Sequence, residues 1–321
     1  MSLTRRSILK TAPFLAGLPL LGRAEAQSAA TDRPDLIVAH LTDIHFGVDL
    51  LDKDRLKPGV SAQGLVATIR HAQAQGAQLI LQGGDLLAEA FNKPADVVRP
   101  QIEGAVKVFA QEAKVPVRHA IGNHDIWGWD KKSSGTTGNE PLWGKKWIMQ
   151  ALKMDKPYYS FDQGKWHFVV LDDIQPGEDR DYVVKLDSDQ MSWLKDDLAA
   201  NAQKPTALLS HAPIFAVTPF LDGSNNLSGD WKVSGSLMHL DAPRLKSLFK
   251  KNPQVKLTLS GHTHLIDQVL LAGVVYANDG AVSAGSWYNN IQDTAPGYGL
   301  IKLWNDGRVK VEYVPSGFSL G

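Results

Sequence analysis

Five short apolar runs, each ended by a polar tip rich in His, Asp or Asn, constrain this chain more than any other feature. Leu36-Ile37-Val38-Ala39-His40-Leu41 leads into Asp43-Ile44-His45, and Leu79-Ile80-Leu81 into Gly83-Gly84-Asp85. Val115-Pro116-Val117-Arg118-His119-Ala120-Ile121 ends at Gly122-Asn123-His124-Asp125. Ala207-Leu208-Leu209 ends at Ser210-His211-Ala212-Pro213, and Val255-Lys256-Leu257-Thr258-Leu259 runs to Gly261-His262-Thr263-His264. Short apolar runs bounded by turn residues read as buried strands. Helical spacing separates the first three, over about 59–75 (Leu65, Val66, Ile69) and about 97–112. Strand, helix, strand alternation predicts an α/β fold. The tips then become loops at the sheet edge, where reactive groups are usually mounted.

Elsewhere the pattern is less regular. Tyr158-Tyr159-Ser160-Phe161-Asp162 and Trp166-His167-Phe168-Val169-Val170-Leu171 read as a hairpin around Gln163-Gly164-Lys165, with His167 a packed strand residue. A helix is expected from Gln190 to about Asn201, and His71 reads as a solvated or partly packed helix residue. The C-terminal part reads as mostly β, with turns at Asn278-Asp279-Gly280 and Asn305-Asp306-Gly307. Two long excursions interrupt the order. Residues 127–147 hold Trp127, Trp129, Trp143 and Trp147 amid Gly, Ser, Thr and Lys; they form either a substrate-facing wall or a surface loop pinned by its tryptophans. Residues 217–240, with Trp231 and His239, form the second.

Composition excludes several classes. The formal net charge is zero, with no basic or acidic block, so no nucleic-acid-binding patch and no electrostatic hold on an anionic membrane are expected. No cysteine is present, which removes disulfides and thiolate metal sites. Any metal must be held by His, Asp, Glu, Asn or backbone.

The N-terminus reads as a targeting segment. Thr4-Arg5-Arg6-Ser7-Ile8-Leu9-Lys10 resembles the bacterial twin-arginine signal, with Ile8 where Phe is commoner. The apolar stretch 11–22 is too short to span a bilayer but suits a signal core, and Ala24-Glu25-Ala26 offers a small-x-small cleavage site. The expected organisation is a twin-arginine signal peptide at 1–26, a flexible leader at 27–35 and one domain at 36–321. The implied partner is the twin-arginine export machinery, the location periplasmic or otherwise exported, with no stable membrane anchor after cleavage.

Together the tips supply Asp43, His45, Asp85, Asn123, His211, His262 and His264, all hard or borderline O and N donors. Seven donors exceed the needs of one four-coordinate ion and suit a pair of divalent or trivalent ions sharing a carboxylate. Two ions about 3.5–4 Å apart are a recurrent device of phosphoryl chemistry. Such donors accept iron, manganese or zinc alike.

The order Asp-x-His, Gly-Asp, Gly-Asn-His-Asp, His, Gly-His-x-His resembles the calcineurin-like metallophosphoesterase superfamily, with Val170-Leu171-Asp172 and the helix start at Gln190 as subsidiary likenesses. The resemblance implies a four-layer α/β/β/α sandwich of two mixed sheets flanked by helices, with the metal site at the strand C-terminal edge. It implies that Asp43, His45 and His264 bind one metal, that Asn123, His211 and His262 bind the second, and that Asp85 bridges. His124 would face the leaving group as proton or hydrogen-bond donor, with Asp125 holding its ring. The implied reaction is hydrolysis of a small phosphoester by in-line attack of a metal-bound hydroxide. Ala88 stands where purple acid phosphatases carry a tyrosine, so a tyrosinate–iron site is not expected. Class III cyclic-nucleotide phosphodiesterases share the motif set, which favours a phosphodiester or nucleotide-type substrate; the alternatives are a phosphomonoesterase or a non-catalytic binding module on the same fold. The run Gly285-Ser286-Trp287-Tyr288, with Asp293 and Pro296-Gly297-Tyr298, resembles a tail of some bacterial members. Trp287 and Tyr288 then join Trp127 and Trp129 as candidate substrate contacts, with packing as the other reading.

Overall fold

Strand β1 (Leu36–Leu41) shows how the layers arise. Val38 packs into one apolar cluster and Ala39 into another, because neighbouring side chains of a strand point to opposite faces. A strand buried on both faces must lie inside a layered fold. The computed structural model describes residues 33–178, 181–221, 229–292 and 294–320. The signal reading of 1–26, most of the leader and Asp293 lie outside the described residues.

One sheet has the order β13-β12-β1-β2-β3, from β1, β2 (Leu79–Gly83), β3 (Val117–Ala120), β12 (Gly297–Leu303) and β13 (Val309–Pro315). The other has the order β10-β11-β9-β8-β5-β4, from β4 (Tyr159–Gln163), β5 (Trp166–Val170), β8 (Thr206–Leu209), β9 (Val255–Ser260), β10 (Ile266–Leu271) and β11 (Val274–Asp279). A two-stranded ribbon pairs β6 (Ile174–Pro176) with β7 (Tyr182–Val184).

Three apolar layers follow. Val38, Leu79, Leu81, Phe168, Val170, Leu209, Leu257 and Ile301 meet between the sheets. Ile80, Leu65, Ile69 and Ile102 join the first sheet to the helices Val60–Ala74 and Ala95–Glu112. Val169, Leu208, Leu194, Leu198, Leu245 and Phe249 join the second sheet to the helices Ser188–Ala200 and Ala242–Lys251. This is the expected α/β/β/α sandwich of two mixed sheets. Strand β1 runs parallel to β2 and β2 to β3, while β5, β8, β9 and β11 are mutually parallel.

The histidines set aside as structural are packed ones. His71 Nδ1 lies 3.0 Å from Tyr298 Oη, and His167 is buried between Asp162 (2.7 Å) and Asp197 (2.8 Å). One turn is misplaced: Asn278 and Asp279 belong to β11, and only Gly280, at φ 67°, turns. Asp279 is held in the strand by its buried contact with His40 Nδ1 at 2.8 Å.

Candidate metal centre

Every donor-bearing tip sits just past the carboxyl end of a parallel strand. Holding so many short polar side chains at one point strains the chain. Asp43, His45, Asp85, His262 and His264 all have φ between 47° and 70°. That left-handed region is costly for residues with a side chain and recurs at functional sites. Gly122 lets the loop pass against Asp85, because a Cβ there would strike the Asp85 backbone and carboxylate.

Each buried carboxylate is held by one oxygen and presents the other. Asp43 Oδ2 accepts Thr42 Oγ1–H (2.6 Å) and His262 N–H (2.9 Å), leaving Asp43 Oδ1 without a partner, 3.4 Å from His264 Nε2. Asp85 Oδ1 accepts His124 N–H at 2.8 Å, and its Oδ2 lies 3.3 Å from His211 Nε2 and 3.9 Å from His45 Nε2.

The imidazoles are oriented in the same way. His264 Nδ1 donates to Ala284 O (2.6 Å), His211 Nδ1 to Gly83 O (2.9 Å), and His262 Nε2 to Ser236 O (2.8 Å). A carbonyl only accepts, so in the neutral ring the opposite nitrogen carries a lone pair. Those lone pairs converge. His264 Nε2 lies 3.0 Å from His45 Nε2, His211 Nε2 lies 3.1 Å from His262 Nδ1, and Asn123 Oδ1 lies 3.1 Å from His211 Nε2. Acceptors facing acceptors around an orphaned carboxylate oxygen fit a cation. Asp43, His45 and His264 form one compact donor group, Asp85, His211 and His262 a second with Asn123 beside it, and His45, Asp85 and His124 a third that shares a member with each.

Electrostatics agree. Burial disfavours ionised carboxylates, yet Asp43 stays below its usual range, mainly through His264, and Asp85 well below, mainly through His211 and His124. Burial also disfavours imidazolium, yet Asp85 and Asp43 hold His211 up to about 10. Burial and His124 take His45 down to about 3, and burial with His211 takes His262 down to about 4. A field that draws a proton to His211 draws a metal cation as well. Unpaired buried charge is expensive, so these carboxylates need positive charge nearby.

His124 stands at the rim of this centre, grouped with His45 and Asp85 and with its ring 4.9 Å from that of His45. Its side chain is 33% exposed, and its Nε2 lies 4.0 Å from Asp85 Oδ2. Burial lowers its basicity, but Asp85 and Glu89 outweigh burial and hold it up to about 9. Asp125 does not hold the ring. Its carboxylate accepts backbone N–H from Leu87 and Gly122, both at 2.9 Å, and so ties the third tip to the second. The residue facing His124 Nδ1 is Glu89, with Oε2 at 3.4 Å. Glu89 lies four residues beyond Asp85 in a loop, with no motif to mark it.

The aromatic expectations need correction. Trp127 is 7% and Trp287 1% exposed. Trp127 packs on Trp147 and donates to Lys93 O; Trp287 donates to Ile44 O and lies against Gly64. Their indole N–H groups find carbonyl partners inside the core, so neither presents a face to a ligand. Tyr288 Oη donates to Asp52 Oδ2 (2.8 Å) beneath Arg55, a local surface contact. Trp129 is half-buried beside Phe91. Tyr182, on β7, stands 6.2 Å from the His262 ring and was not marked by any sequence pattern.

The chain matches the family described as calcineurin-like phosphoesterase over residues 36–265 and belongs to that family. It is a hydrolase of phosphoric esters by that membership. It is similar to a probable cyclic nucleotide phosphodiesterase of Synechococcus sp., 28% identical over 241 residues, covering 73% of this chain and 76% of the relative. A 3′,5′-cyclic-nucleotide phosphodiesterase of Nostoc sp. is 23% identical over 294 residues, covering 87% and 92%. Among solved structures, a dimetal phosphatase from Danio rerio superposes with a TM-score of 0.60 at 15% identity, covering 88% of this chain and 97% of that one, which shows the shared fold.

Proposed function

We propose that this calcineurin-like phosphoesterase hydrolyses a small phosphodiester of nucleotide type at a two-metal centre. The observation that carries the reading is the set of overlapping donor groups, one of which includes the unpartnered Asp43 Oδ1. Asp43, His45 and His264 would hold one ion, Asn123, His211 and His262 the other, with Asp85 between them. Metal ions bound there neutralise phosphate charge and acidify water. The names of the two cyanobacterial relatives support a diester over a monoester.

The chain's own residues supply the rest. Asp43 and Asp85, each tied by one oxygen to backbone N–H, keep the other oxygen aimed at the centre without reorganisation. His124, part-exposed at the cleft, holds a proton at Nε2 for the departing oxygen, and Glu89 opposite Nδ1 keeps the ring turned that way. The test is turnover of bis(p-nitrophenyl) phosphate and p-nitrophenyl phosphate with manganese, iron or zinc added and metal content measured. Diester hydrolysis is expected to dominate. A folded, metal-loaded protein that cleaves neither ester overturns the reading in favour of a binding module, and cleavage of the monoester alone replaces it with a phosphatase.

We also propose export through the twin-arginine route, supported by Arg5-Arg6 and the apolar stretch that follows. Arg5→Lys with Arg6→Lys is expected to trap the protein in the cytoplasm in cell fractionation; unchanged export overturns it.

A further inference from the structure

A row of rings leads away from the metal centre. His262 is 6.2 Å from Tyr182, Tyr182 is 6.5 Å from Phe91, and Phe91 is 6.1 Å from Trp129, centroid to centroid. The row ends at a cavity of about 310 Å³ lined by Phe91, Trp129, Trp143 and Lys131. A second cavity of about 180 Å³ holds Asn123, His124, Glu89 and Tyr182. Both are lined in part by Phe91 and Asp181, so the aromatic cavity adjoins the one that His124 lines.

Its walls are braced before any ligand arrives. Trp143 Nε1 donates to Gly128 O at 2.8 Å, and Lys131 Nζ stands 5.4 Å from the Trp143 ring centre. Lys145, bonded to Asp172 and to Ile174 O, stands 5.6 Å from the Trp129 ring centre. Half-buried aromatic side chains held in place around a cavity suit a flat ring rather than a flexible chain. The volume is at the small end of ligand sites, right for one ring system. Lys131 and Asp181 offer a donor and an acceptor at its rim.

We propose that the slot of Phe91, Trp129 and Trp143 is a subsite for the base of a nucleotide-type phosphoester whose phosphate lies at the metal centre. This rests on the phosphodiesterase reading for the placement of the phosphate. It also explains the Trp-rich segment 127–147: Trp127 and Trp147 anchor it in the core, and Trp129 and Trp143 face the slot.

The test is calorimetric titration of the manganese-loaded protein with adenosine 5′-monophosphate and with ribose 5-phosphate, which differ only in the base. The wild-type protein is expected to bind the nucleotide about tenfold more tightly or better, the size of one base–aromatic stack. Phe91→Leu and Trp143→Leu, each checked for an unchanged thermal transition, are expected to shrink that gap to under about threefold. Equal affinities in the wild-type protein, no measurable nucleotide binding at millimolar concentration, or a full gap in both folded variants overturns the subsite. A protein that cleaves no phosphoester yet keeps the base-dependent gap overturns the phosphodiesterase reading and leaves the slot standing.

Discussion

Glu89 Oε2 lies 3.4 Å from His124 Nδ1, and its loop is fixed from behind by Gln101. Gln101 Oε1 accepts Glu89 N–H and Gln101 Nε2 donates to Glu89 O, both at 3.1 Å, while Glu89 Oε1 accepts Phe91 N–H at 2.7 Å. A buried amide on the helix Ala95–Glu112 thus fixes the backbone of Glu89, whose carboxylate stands beside the imidazole at the cleft.

Glu89→Gln is expected to lower kcat by about 10–100-fold with metal content unchanged, the usual cost of removing an orienting carboxylate. His124→Ala is expected to lose about 10²–10⁴-fold. If His124 protonates the departing oxygen, both losses grow with the basicity of the leaving alcohol; a uniform loss across leaving groups contradicts that role. The double variant is expected to lose no more than His124→Ala alone.

The Asp85 carboxylate reaches imidazoles of both donor groups, at 3.3 Å from His211 Nε2 and 3.9 Å from His45 Nε2. Asp85→Asn is expected to drop bound metal below two ions per chain by elemental analysis. Chelation of the wild-type protein is expected to abolish turnover and lower the melting temperature, because a ligand held at a hundred times its Kd contributes about 2.7 kcal/mol. Two ions still bound to Asp85→Asn would remove the bridging assignment.

His239 lies fully buried between Asp173 (3.3 Å) and Asp241 (2.9 Å). Burial lowers its basicity, but the two carboxylates outweigh burial and hold it up to about 9. A raised folded-state value stabilises the protein fully below the unfolded value near 6.5 and loses that contribution as pH climbs towards 9. Urea unfolding is expected to show stability falling over that window by on the order of 3 kcal/mol at most, and His239→Gln to flatten the slope while lowering stability at pH 6. Equal slopes for both proteins would rule the linkage out.

Trp287 separates packing from recognition. Trp287→Ala is expected to cost about 3–5 kcal/mol of stability, as for a fully buried aromatic. At temperatures where the variant remains folded, its KM is expected to stay within about twofold of wild type, since the ring meets no ligand. A large KM change in a stable variant would return Trp287 to the substrate wall.

The strands and their tips were legible because the signals are local. Leu79-Ile80-Leu81 is apolar at every position, which only a strand covered on both faces tolerates, and Gly83-Gly84 announces the turn that lifts Asp85. The donors were legible because His, Asp and Asn recur at the same place after five such strands. Asp125 was misread for an equally local reason: adjacency to His124 suggested a partner, whereas the 3₁₀ turn over Asn123–Asp125 points its carboxylate back at Gly122 and Leu87.

By itself the sequence determined which segments are buried on two faces and which side-chain chemistries they deliver, since apolar patterning and ligand type are properties of neighbouring residues. Only the tertiary structure decided that Glu89 faces His124, that Ser236 O orients His262, and that Phe91 meets Tyr182 from 91 positions away. Those contacts depend on the paths of loops, which carry no periodicity and are placed by whatever packing the two sheets leave open at their shared edge. Trp127 and Trp129 make the point within three residues. One is sealed in the core and the other lines a slot, because consecutive turns of an irregular loop send identical side chains to opposite sides.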